Sequence, residues 1–194
     1  MLKIKSLAVY CGSSNVCLDV YKQAAQDLGR VIASHDIELV YGGGKQGLMG
    51  ILAQSVLDNQ GQVYGVIPKF LDKVEHGFEG ISELHYVDTM HERKQKMFER
   101  ADAFMIMPGG FGTLDEAFEI MTWKQVGLHQ KLIIFMDIDG YWRPLIDHMS
   151  HMVSQGFIGP DDTNLFSILT RIEDLDSFML AGKSNQDDYV GKFA

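Results

Sequence analysis

The segment Pro108-Gly109-Gly110-Phe111-Gly112-Thr113-Leu114-Asp115-Glu116 gathers residue types that can hold an anion and act beside it. An apolar run, Ala103 to Met107, delivers the chain to the glycines, and Thr113 then opens a helical pattern. Amide N–H groups in the first turn of a helix have no intrahelical acceptor and suit a phosphate. Glu116 admits two readings. Thr113 and Glu116 stand at capping-box spacing, so the carboxylate could simply accept the N–H of Thr113. It could instead point past a bound phosphate towards a sugar, provided a cation lies close enough to offset the repulsion. Met90-His91-Glu92-Arg93-Lys94 supplies that cation. Taken alone, Arg93 and Lys94 read as a solvated helix face, because the macrodipole disfavours positive charge in the first turns.

A second cluster, Gly42-Gly43-Gly44-Lys45-Gln46-Gly47, fits the spacing G-x-G-x-x-G, with Gly43 a candidate phosphate or ribose contact. As a dinucleotide fingerprint it is incomplete. It follows the second strand, and Val66-Ile67-Pro68 offers no acidic residue for a ribose, so an NAD-dependent oxidoreductase is disfavoured. The cluster reads equally as a tight strand-to-helix turn. His148 and His151 lack a third ligand and an H-E-x-x-H pattern, so no metal is implied. Neither G-x-S-x-G nor G-x-x-x-x-G-K-[ST] occurs, which argues against a serine hydrolase and a P-loop NTPase.

Elements able to position these loops alternate along the chain. Strands are predicted at Leu7–Cys11, Ile37–Tyr41, Val63–Ile67, Glu83–Val87, Ala103–Met107, Leu132–Met136 and Phe166–Thr170. Helical periodicity follows the first two strands (Val20, Ala24, Leu28, Val31, Ile32, then Gly47 to Asp58). It returns at Thr89–Arg100, from Thr113 to about Val126, at Trp142–Val153 and at Asp174–Leu180. Thr89 and Glu92 also have capping-box spacing. Lys69 to Ile81 shows no period and reads as a loop carrying Asp72, Glu75 and Glu79. Near-continuous apolar strands alternating with helices predict an α/β, Rossmann-like three-layer sandwich with a mostly parallel sheet. In such sheets ligands bind beyond the carboxyl ends of the strands, where Gly12-Ser13-Ser14 and both glycine clusters fall.

The chain's 194 residues suit one domain, assigned to 1–182, with a polar tail at 183–194 expected to fray. A net charge of −9 disfavours nucleic acid and anionic membrane as partners. Cys11 and Cys17 form no framework of disulfides, and Cys11 reads as a buried free thiol. With no signal-peptide core and no eighteen-residue apolar run, the expected location is the cytoplasm.

Together these segments resemble the "lonely guy" family of cytokinin riboside 5′-monophosphate phosphoribohydrolases. Its shared signature is a PGGxGTxxE loop with an upstream M-H-x-R-K, and both are intact here at 108–116 and 90–94. The likeness extends from Tyr10-Cys11-Gly12-Ser13 through Val40-Tyr41-Gly42-Gly43-Gly44 to Asp139-Gly140-Tyr141-Trp142 and Gly156-Phe157-Ile158. Members were long labelled lysine decarboxylases, a label the residues do not support. The resemblance implies cleavage of the N-glycosidic bond of a purine nucleoside 5′-monophosphate, giving free base and ribose 5-phosphate without a cofactor. It implies Arg93 and Glu116 as the catalytic pair, and substrate contacts at Glu75, Lys94, Gly109, Gly110, Phe111, Gly112, Thr113, Leu114, Asp115 and Thr122. In that chemistry Glu116 stabilises an oxocarbenium-like sugar and orients water, while Arg93 holds Glu116 ionised. A homodimer is the implied assembly. A non-catalytic nucleotide carrier, such as the molybdenum-cofactor carriers that resemble this fold, is the competing reading.

Overall fold

The computed structural model describes residues 4–175. Seven strands form one sheet: Ser6–Tyr10 (β1), Glu38–Tyr41 (β2), Val63–Pro68 (β3), Glu83–Val87 (β4), Ala103–Ile106 (β5), Leu132–Met136 (β6) and Ser167–Leu169 (β7). Their order is β4-β3-β2-β1-β5-β6-β7, and every pairing is parallel. Helices Asp19–Ser34 (α1), Gly47–Asp58 (α2), Lys69–Glu75 (α3), Met90–Arg100 (α4), Phe111–Gln125 (α5) and Arg143–Ser154 (α6) connect them.

Alternate residues of each central strand feed opposite layers, so these strands are apolar throughout. Leu7, Val9, Leu39 and Met105 pack with Leu28 of α1 and Leu52 of α2. Ala8, Val40, Phe104 and Ile106 pack on the other face with Met97 of α4 and Ile120 of α5. The chain winds outward from β1 to β4, then returns to β5 and winds the other way. That reversal opens a crevice beyond the carboxyl ends of β1 and β5, the usual ligand position in this architecture. Tyr10 pairs with Ile106, so both strands end level, and the Gly12 N–H donates to the Pro108 carbonyl at 3.0 Å across the crevice floor.

Two expectations need correction. Lys69–Glu75 is helical, not loop. It buries none of its residues, and Phe70 and Val74, one turn apart, remain exposed. A helix without a core-facing stripe leaves no periodic signal. The second correction concerns α5, which begins at Phe111 with Gly110 as its N-cap. Thr113 is therefore already inside the first turn, with its side chain buried against Gly109, so Glu116 lies a full turn beyond any cap position. The Thr89–Glu92 box is formed as predicted. The predicted helix at 174–180 lies mostly outside the described residues, and the polar tail lies wholly outside them.

Candidate active site

Three glycine-rich loops reach the crevice, and they differ in whether their amides are free. At α2, the Gly47 N–H donates to Asn15 Oδ1 at 2.8 Å and the Leu48 N–H to the Gly12 carbonyl at 2.9 Å. Those bonds seal the N-terminus of α2 against an anion. Gly43 serves its turn instead: φ is +77°, and a Cβ there would press on Ile67 and Leu84. The structure thus sets Gly43 outside the cavity. Its neighbour Gly42 makes room for a guanidinium, since a Cβ would lie 1.8 Å from Nη2 of Arg93.

The N-terminus of α5 has no side-chain cap. It opens into a cavity of about 370 Å³. Its lining includes Gly109, Gly110, Phe111, Gly112 and Thr113 together with Glu75, Met90, Arg93 and Glu116. Cys11 to Ser14, Tyr21 and Tyr141 line it as well.

Arg93 is buried at 5% exposure, which overturns its reading as a solvated residue. Its Nη2 donates to the Gly42 carbonyl at 3.0 Å and lies 3.8 Å from Oε2 of Glu75. Nε of Arg93 and Oε2 of Glu75 are buried with no hydrogen-bond partner in the protein. Buried polar atoms without partners are rare, and in a cavity wall they are free to bond water or a ligand. Glu116 is also buried, and burial pushes its carboxyl up to about 7 against the opposing pull of Arg93. The expectation that Arg93 holds Glu116 ionised is met by an opposing effect: desolvation raises the carboxyl more than the guanidinium lowers it. Burial likewise raises the Cys11 thiol far above its ordinary range, leaving it inert.

Other residues expected at the site lie apart from the cavity. Lys94, 9% exposed, has Nζ at 2.9 Å from Glu119 and 3.2 Å from Asp115. Burial works against its charge, but these two acids outweigh it and raise its pKa. Lys94 thereby braces α4 on α5. Leu114 and Asp115 do not line the cavity, and the Thr122 hydroxyl donates to the Phe118 carbonyl within α5. Conversely, Tyr21, Leu48, Met49 and Tyr141 line the cavity without having been anticipated. Tyr141 follows Asp139 and Gly140, both at positive φ, within a segment that the family resemblance already included without giving it a role. Among the described residues no cluster of His, Cys, Asp or Glu suits a metal ion, and no helix is long and apolar enough to cross a membrane.

The family model described as "Possible lysine decarboxylase" matches residues 49–178. A cytokinin riboside 5′-monophosphate phosphoribohydrolase of Arabidopsis thaliana is 43% identical over 81% of this chain and 74% of its own length. A bacterial enzyme of the same name, from Rhodococcoides fascians, is 44% identical over 80% and 79% respectively. Among solved structures, the molybdenum cofactor binding protein of Rippkaea orientalis superposes with a TM-score of 0.70 over 93% of this chain and 98% of that one. At 17% identity, this last likeness shows the fold alone.

Proposed function

This chain belongs to the family of cytokinin riboside 5′-monophosphate phosphoribohydrolases, matched by the "Possible lysine decarboxylase" model, and on that premise we propose that it hydrolyses the N-glycosidic bond of a purine nucleoside 5′-monophosphate. The observation that carries the proposal is the meeting of an uncapped helix N-terminus with buried Arg93 and Glu116 and half-buried Glu75 in one cavity. A phosphomonoester fits the first feature, and the buried charges fit the atoms of a glycosidic bond.

In this reading the amides of Gly110 to Thr113 hold the 5′-phosphate. Binding energy gathered there fixes the ribose over the carboxylates. As the bond from C1′ to the base nitrogen breaks, positive charge develops on the sugar, and ionised Glu116 stabilises it and directs water to C1′. The water oxygen joins C1′ with one hydrogen, the other hydrogen passes to Glu116, and Glu116 returns it to the departing base, so that the carboxylate ends ionised. Arg93 holds the Gly42 turn, offsets the two carboxylates and faces the departing base through Nε.

We assign Arg93 and Glu116 the catalytic roles and Glu75 and Gly109–Thr113 the binding roles. The protein is proposed to act as a cytoplasmic homodimer. Phe111 and Phe118 of α5, with Val126 just past its end, form an exposed apolar stripe, and Phe111 is 92% exposed. A second copy packed on that stripe would bring Lys94, Asp115 and Thr122 to the edge of a shared site.

Incubation with a panel of nucleoside monophosphates, followed by chromatography of the products, tests the reaction. Release of adenine from AMP or an N6-substituted relative, with far lower kcat/KM for the unphosphorylated nucleoside, is the expected result. Comparable values for AMP and adenosine would refute it, and binding without base release would favour a carrier.

A further inference from the structure

Three consecutive carbonyls lead into α5, and each is tied. The Pro108 carbonyl accepts the Gly12 N–H at 3.0 Å, the Gly109 carbonyl accepts the Tyr141 hydroxyl at 2.7 Å, and the Gly110 carbonyl accepts the Leu114 N–H at 3.0 Å. Within a trans peptide the C=O and N–H point in opposite directions. Each tie therefore also aims one N–H, that of Gly109, Gly110 or Phe111, away from the tethering group.

Two of these ties are backbone to backbone and come with the fold. The middle one is made by a side chain, and it acts on the peptide between two glycines. That peptide has no Cβ on either side, and a Cβ at Gly110 would meet nothing within 4 Å. Glycine visits both signs of φ with similar ease, so on the Gly110 side packing does not oppose rotation of this unit, while the Gly109 Cα stays close against Thr113 and Gly12. Rotated, it would turn a carbonyl oxygen towards an anion at the helix terminus in place of an N–H.

Tyr141 is itself held in place. The Asp137 carboxylate accepts the Trp142 N–H at 2.7 Å, and the left-handed pair Asp139 and Gly140 turns the chain back over the cavity. The Tyr141 ring packs edge-on against Tyr21 at 5.5 Å and Trp142 at 4.8 Å between centroids.

We propose that Tyr141 is a positioning residue for phosphate recognition: its hydroxyl locks the Gly109–Gly110 peptide so that the Gly110 N–H, and not the Gly109 carbonyl, faces the 5′-phosphate. The inference rests on the nucleotide reading above and adds a residue to it. Tyr141 acts through the loop, at one remove from the reacting atoms.

Tyr141→Phe keeps the ring and both edge contacts while removing the tether. Ribose 5-phosphate affinity, measured by calorimetry, should weaken about 5–10-fold, as expected for loss of one preorganising hydrogen bond. The preference for AMP over adenosine in kcat/KM should shrink by about tenfold, with the melting temperature nearly unchanged. A packing defect would lower both substrates together and leave the ratio intact, and that result overturns the proposal, as does an unaltered variant. A wild-type protein that neither cleaves AMP nor binds ribose 5-phosphate would sink the nucleotide reading beneath it. Activity on AMP with an unmoved ratio in the variant sinks the tether alone.

Discussion

Replacing Glu116 with glutamine separates its chemistry from its burial, and the two effects have opposite signs. Burial raises the Glu116 carboxyl from 4.5 to about 7. A native carboxyl that holds its proton more tightly than the unfolded chain does becomes a burden as pH rises. Stability is full below about 4.5 and falls progressively until the native pKa is passed. Shifting one carboxyl by this amount costs about 3 kcal/mol at pH 8 and under about 1 kcal/mol at pH 5. Glutamine carries no proton to lose, so Glu116→Gln should be more stable than wild type at pH 8. For a chain of this size that difference corresponds to roughly 6–12 °C in melting temperature, shrinking to a few degrees at pH 5. Activity should move the other way, with kcat falling by roughly 10²–10⁴ because the amide neither carries charge nor takes a proton. In wild type the same ionisation should give kcat/KM an acidic limb near pH 7, and the variant should lose that limb. Calorimetric scans at both pH values, with single-turnover base release, measure all of this. A variant with wild-type turnover, or one whose melting temperature differs equally from wild type at both pH values, would refute the reasoning.

Gly42→Ala should lower kcat/KM by about 10²-fold with the circular dichroism spectrum preserved, because its Cβ would displace the Arg93 guanidinium from 1.8 Å away. Arg93→Ala removes the cation that offsets Glu75 and the buried Glu116 and should cost about 3 kcal/mol in urea unfolding, besides abolishing base release. Light scattering at micromolar concentration should report a dimer, and Phe118→Glu should shift it towards monomer; a wild-type monomer refutes the assembly.

Strand periodicity placed the central strands because their residues are buried on both faces, which leaves a continuous apolar run; the edge strands Glu83–Val87 and Ser167–Leu169 are only partly buried. The α3 segment was illegible for the converse reason: Phe70 and Val74 face outward, and its tie to the body is polar, through Gln46 to the Val74 carbonyl at 3.1 Å. At the site, the glycine loop and Arg93 were legible as residue types. Whether an amide is free or occupied was not. Asn15 closes α2 from thirty-two positions away, and no local spacing announces it. Tyr141 reaches Gly109 across thirty-two positions as well. The charge state of Glu116 escaped for a related reason, since the spacing reveals a neighbouring cation but not the depth of burial that outweighs it.

The sealed N-terminus of α2 bears on the thermodynamics of ligand capture. Gly12 and Asn15, at the two ends of the 12–15 loop, are pinned by three separate bonds, to Pro108, Gly47 and Leu48, so the loop is anchored at both ends. Ordering a loop around a ligand commonly consumes about 0.5–1.5 kcal/mol for each immobilised side chain. Here the backbone part of that ordering is already complete in the free protein. Nucleotide binding is then expected to carry an entropy dominated by released water, and amide hydrogen exchange at Gly12, Gly47 and Leu48 should be slow before any ligand arrives.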